Sequence, residues 1–266
     1  MVAHHDTQRA LNDLIAAVAD LPGFVAISLG GSVASGLADE SSDLDLHVYW
    51  RAPLATPAER AARLAQIADA GSVEVEILDW GREDNLRIGG RRAELVYTPL
   101  DELCAEVEQA YGEGLISEGY TTARLYYVAS GQPLHDPVGE LSLLRERLLG
   151  GYPEPTRRLL LRYHPALLRV YLGHLRLAQS RGDLLAVQHR RYTVQMVFFN
   201  LLFALNRRYH PGEKRLLIHG ERCPLRPTHL ADRWSHAARL AADDPALTET
   251  LASMIDDLNC LIEANR

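Results

Sequence analysis

An apolar run, Phe24-Val25-Ala26-Ile27-Ser28-Leu29, empties into Gly30-Gly31-Ser32, and ten residues further on Asp43-Leu44-Asp45-Leu46-His47-Val48-Tyr49-Trp50 alternates with a period of two. No other feature constrains the fold of this chain more. The first run has the length and apolarity of a buried strand, and the second reads as a strand with one face in a core. Alternate side chains of a strand share a face, so Asp43 and Asp45 are expected on one side while Leu44 and Leu46 face inward. Two carboxylates on one face attract a divalent cation. Hard oxygens without accompanying His or Cys ligands favour Mg²⁺ or Mn²⁺ over zinc. A strand that ends in Gly-Gly-Ser also presents backbone N–H groups and one hydroxyl to an anion, so Gly30, Gly31 and Ser32 are expected to form a phosphate cradle.

The flanking pattern is that of a layered α/β (α+β) domain. Ala10, Leu11, Leu14, Ile15, Val18 and Leu21 fall at helical spacing over residues 7–21, and Pro22-Gly23 ends that helix. A helix is expected from Pro57 to Ala70, a third strand through Val73, Val75 and Ile77, and a fourth over Arg92–Tyr97. Gly81 and Gly89-Gly90 supply turn chemistry between the last two, which predicts that they pair with each other antiparallel. Thr98-Pro99 opens a further helix. Beyond Tyr120 the strand signal fades and helices follow, among them Leu159–Arg181 and Asp183–Tyr209 as an antiparallel pair across Gly182. The Gly/Pro-rich stretch Gly150–Pro155 divides the chain into residues 1–150, α/β, and residues 151–266, an all-α helical bundle.

Composition narrows the class. Of 266 residues, 47 % are hydrophobic and 24 % charged, the balance of a globular protein. The longest apolar stretch, Val194–Leu205, contains Gln195 and Asn200 and is shorter than the roughly 20 residues a bilayer helix needs. The N-terminus lacks the basic and apolar regions of a secretory signal, and Cys104, Cys223 and Cys260 stand far apart, so a cytoplasmic location without membrane attachment is expected. Charge is segregated: residues 1–150 carry a net −13 and residues 151–266 a net +6. That arrangement suits a cleft with metal ions on one side and polyphosphate on the other, and equally the docking of two halves.

The order strand, Gly-Gly-Ser, spacer, Asp-x-Asp on the next strand resembles the signature of the DNA polymerase β-like nucleotidyltransferase superfamily. An α/β domain followed by a helical bundle is similar to its lincosamide and aminoglycoside branch and to uncharacterised bacterial relatives. The resemblance implies a nucleotidyltransferase-type mixed sheet with flanking helices. It also implies a third carboxylate on a later strand, and Glu74, Glu76 and Glu94 compete for that role. Glu94, followed by Leu95-Val96-Tyr97 and a Pro-started helix, has the context of the antibiotic-modifying relatives. Asp43, Asp45 and Glu94 are thus the expected metal ligands and catalytic groups, and Gly31, Ser32, Ser42 and Lys214 the expected nucleotide contacts. Lys214 is the only lysine in the chain, a compact point charge suited to a phosphate tail or a chance substitution in an arginine-rich protein. His47 lies two residues past Asp45, where it either orients substrate or packs the strand end.

The activity the resemblance implies is transfer of a nucleoside monophosphate from an NTP, ATP foremost, to a hydroxyl of a small molecule, antibiotic-like ones included, with Mg²⁺ or Mn²⁺ as cofactor and pyrophosphate released. The alternatives are transfer to a protein or tRNA, and a silent nucleotide-binding regulator. A nucleic-acid partner is less expected for an acidic chain without an RNA-binding module.

Overall fold

The computed structural model describes residues 2–31, 43–78, 81–117 and 119–265. They form two compact units, residues 1–107 with 127–150 and residues 108–126 with 151–266. No helix among the described residues is long and apolar enough to cross a membrane.

The first unit is a mixed sheet with flanking helices. Its elements are α1 (Val2–Ala19), β1 (Phe24–Leu29), β2 (Leu44–Trp50), α2 (Pro57–Leu64), β3 (Glu74–Leu78), β4 (Gly81–Ile88) and β5 (Arg91–Pro99), then β6 (Gln132–His135) and α5 (Glu140–Leu149). Between β5 and β6 come α3 (Leu100–Gly112) and α4 (Ala123–Ser130). The sheet order is β3-β4-β5-β2-β1-β6, with β2 and β5 parallel and every other pair antiparallel. Leu44, Leu46 and Val48 of β2 lie opposite Ala93, Leu95 and Tyr97 of β5, and all six are buried on the face that α1 covers with Leu11, Leu14 and Val18. The opposite face is left for the polar set Asp45, His47 and Glu94.

Two expectations for this sheet are corrected. The strands around Val75 and Leu95 do not pair with each other, because β4 runs between them and pairs with both. Its period-two signal is masked by a charge at an inward position: Asp84, Leu86 and Ile88 are all buried. Asp84 is tolerated there because Arg60 of α2, equally buried, donates to it from Nε at 2.8 Å and from Nη2 at 3.1 Å. Gly81 therefore opens a strand and is not a turn. Likewise β6 follows Tyr120 although no strand was expected there. It is an edge strand, the one place where Pro133 costs no ladder hydrogen bond. Helix α2 also stops at Leu64, six residues short of the expected Ala70, behind a capping box in which Thr56 Oγ1 accepts from the Glu59 N–H at 3.3 Å and Glu59 accepts from the Thr56 N–H at 2.7 Å.

The second unit holds helices and no strand among its described residues: α6 (Glu154–Ser180), α7 (Leu184–Leu205), α8 (Leu216–Glu221), α9 (Leu230–Arg239) and α10 (Ala246–Ala264). The α6/α7 hairpin turns at Gly182, φ +65°, and Asp183 caps α7 by accepting the Ala186 N–H at 3.1 Å. Residues 196–205 of α7 are buried on every side, which makes this helix the axis of the core. Asn200, the polar residue in that run, is satisfied: its Oδ1 accepts from the Thr121 N–H at 3.1 Å and its Nδ2 donates to Gly119 O at 2.8 Å.

Candidate functional site

The site is assembled by strand register. In the parallel β2/β5 pair Asp45 lies opposite Glu94, and the preceding positions place Asp43 beside Arg92. Adjacent strands stand about 4.8 Å apart, so the Asp45 and Glu94 carboxylates are neighbours on one face. Glu74 falls in the same cross-sheet row, through Asn85 and Glu94, but three strands from Asp45, about 14 Å away. Glu76 is aligned with Glu83 and Val96, in the row of His47. Of the three competing glutamates, register brings Glu94 alone next to Asp45.

Asp43 sits just before β2, with its carboxylate 4.0 Å from Arg92 Nε. Arg92 in turn donates to Asn85 Oδ1 at 3.1 Å, and Asn85 donates to Glu83 at 2.9 Å. A cation thus stands at the edge of the acidic pair.

The two glycines that end β1 are demanded by these side chains. Gly30 donates its N–H to Asp45 O at 2.7 Å, and a Cβ on Gly30 would lie 2.8 Å from the His47 ring. At Gly31, φ +61°, a Cβ would stand 1.7 Å from Asp45 Oδ2. The carboxylate of Asp45 therefore occupies the space a side chain would fill, which holds the Gly-Gly turn against it. The described part of the expected phosphate cradle, Gly30-Gly31, is thus packed directly on Asp45 and His47. Ser32 and Ser42 lie outside the described residues.

His47 stacks on Tyr127 with ring centroids 5.3 Å apart, and burial pushes its imidazole down to about 4, so the ring is neutral at pH 7. Behind it, Ser28 Oγ and the Tyr49 hydroxyl lie 3.5 Å apart, and burial raises that phenol to about 12. These groups wall the site without adding charge. Sequence reasoning had not singled out Tyr127 or Arg92, since their contacts with His47 and Asp43 arise from chain pairing and not from spacing.

Lys214 belongs to the second unit. It is exposed in the loop between α7 and α8, whose ends, Arg207 at φ +51° and Arg215 at φ +56°, adopt the left-handed region. The loop is pinned at His210, which donates its N–H to Thr122 Oγ1 at 2.8 Å, accepts the Gly212 N–H at Nδ1 and stacks on Tyr120 at 4.6 Å.

Among the described residues no group of three or more His, Cys, Asp and Glu side chains is arranged as a metal centre. What is present is a pair of hard carboxylates on neighbouring strands, with a half-buried third, Asp43, two residues before Asp45. Oxygen donors of this kind fit Mg²⁺ or Mn²⁺ in type.

A family model described as a domain of unknown function, DUF4037, matches residues 119–216, well under half of the chain. No curated protein matches the sequence. Among solved structures the chain is similar to a nucleotidyltransferase-like protein from Exiguobacterium sibiricum, at 15 % identity, with 97 % of this chain and 75 % of that chain covered and a TM-score of 0.45. Neither finding reaches the lincosamide and aminoglycoside branch.

Proposed function

We propose that this protein is a divalent-cation-dependent nucleotidyltransferase that moves a nucleoside monophosphate from an NTP, ATP foremost, to a hydroxyl of a small acceptor, with antibiotic-like molecules among the candidates, and releases pyrophosphate. The observation that carries the reading is the register of Asp45 with Glu94, set against the Gly30-Gly31 turn that closes on the Asp45 carboxylate.

Asp45 and Glu94, with Asp43, are the residues that would hold the cation. When bound, Mg²⁺ would neutralise the triphosphate and polarise the α-phosphoryl group. The Gly31 N–H, with Ser32 and Ser42 as the further proposed contacts, grips phosphate oxygens. Glu94 accepts the proton of the acceptor hydroxyl as its oxygen attacks the α-phosphorus, the bond to the bridging oxygen breaks, and pyrophosphate departs. Neutral His47, fixed between Gly30 and Tyr127, keeps the wall of the site uncharged and so leaves the acidic pair without a competing cation on that side.

The test is incubation with α-labelled ATP, Mg²⁺ and a panel of hydroxyl-bearing small molecules, antibiotics included, with pyrophosphate release followed in parallel. Metal-dependent label on a small molecule supports the reading. Label on protein or tRNA, or none with any acceptor, overturns it.

A further inference from the structure

The N-terminal half of α6 carries a cationic groove. Arg158, Arg162 and Arg169 recur at i, i+4 and i+11, which places them on one side of the helix, and all three are exposed. Arg157 stands beside them. Two adjoining hollows follow this row and share Arg162. One, of about 330 Å³, is lined by Arg157, Arg158, Leu161 and Arg162. The other, of about 220 Å³, is lined by Arg162, Pro165, Ala166 and Arg169 with Asn259, Ile262 and Glu263 of α10.

Arg157 is the informative member. Its side chain is only 9 % exposed, yet its Nε–H is buried with no acceptor among the described residues. One of its nitrogens donates to Asn265 O at 3.2 Å, and another lies 3.7 Å from Glu154, which is held at 2.5 Å by Arg207. A buried guanidinium with an unmet donor is costly unless an acceptor comes to it. Arg158, Arg162 and Arg169 form no ion pair among the described residues, and Glu263 is the sole acid lining either hollow. Four arginines therefore face two carboxylates, Glu154 and Glu263.

From this geometry we infer that the α6 groove binds a phosphoryl oxyanion. The guanidinium fork matches tetrahedral phosphoryl oxygens, and the run from Arg158 to Arg169, about 16 Å at helical rise, admits more than one such group. The ligand is a free polyphosphate or the phosphodiester backbone of a nucleic acid. None of these arginines belongs to the proposed transfer site, so the inference stands apart from that reading.

The experiment is a calorimetric titration of sodium tripolyphosphate, and separately of a single-stranded RNA decamer, into the full chain in EDTA, where the proposed transfer site has no cation. Wild type is compared with Arg158→Gln/Arg162→Gln and with Asp45→Asn. The exposed arginine pair is chosen because its removal leaves the core intact, which an unchanged melting temperature without ligand confirms. Binding by wild type and Asp45→Asn, weakened about tenfold or more in the arginine variant, is the expected result, that being the worth of one charge-assisted hydrogen bond. Tighter binding of the RNA assigns the source to a polynucleotide, and tighter or equal binding of tripolyphosphate assigns it to free phosphate. No binding by wild type, or equal binding by the arginine variant, overturns the inference.

Discussion

Asp45 on β2 and Glu94 on β5 face one another in a parallel register, although 48 residues of intervening chain pass through α2, β3 and β4 before the second strand returns. The pairing sets a demand on the neighbouring loop as well, because the Asp45 carboxylate fills the position of a missing Cβ at Gly31. Chemistry and backbone conformation are therefore coupled at one point.

That coupling predicts the effect of Gly31→Ala. The new methyl collides with Asp45 Oδ2 and occupies a left-handed conformation that costs about 1–2 kcal/mol for a residue with a Cβ. Transfer activity is expected to fall about 100-fold, in line with the loss of a preorganised electrostatic group, with the far-ultraviolet circular dichroism unchanged. Full activity in the folded variant would show that Asp45 is free to move.

The buried pair of Arg60 and Asp84 predicts a non-additive stability pattern. Asp84→Ala leaves a buried guanidinium uncompensated and is expected to cost about 3–5 kcal/mol in urea unfolding. The double replacement Arg60→Met/Asp84→Leu removes both charges and should cost far less than the single one. Equal losses would mean that the pair itself, and not the stranded charge, dominates.

Three histidines predict acid lability. Burial holds His47 and His164 down to about 4, and burial with the nearby His219 charge holds His210 down to about 3. Each folded value lies below the ordinary 6.5, so the unfolded chain takes up protons first as pH falls. Their contribution is whole above about 6.5 and is lost as pH drops from there toward 4. The urea midpoint should therefore be lower at pH 5 than at pH 7, and His164→Phe should flatten the difference. A midpoint independent of pH would contradict this.

Much of the first unit could be read from the sequence, because α1, β2 and β5 each bury one periodic face and β1 is a continuous apolar run buried on both faces. β4 escaped because Asp84 sits at an inward position, where a charge is stable only through Arg60, a partner on another element. β6 escaped because it is four residues long, contains a proline and is held by pairing with β1, a long-range contact. At the site, the spacing of Asp43 and Asp45 was visible, whereas the choice among Glu74, Glu76 and Glu94 depends on strand order, which no spacing encodes. The two glycines carry a steric meaning that only the approach of Asp45 and His47 reveals.

Asp45 and Glu94 are expected to hold together the cation on which nucleotide binding depends. Calorimetric titration of the four NTPs, with and without Mg²⁺, into wild type and Asp45→Asn/Glu94→Gln tests it most directly. Binding that requires Mg²⁺ in wild type and disappears in the double variant is the predicted result, and metal-independent or equal binding in the two proteins would contradict it.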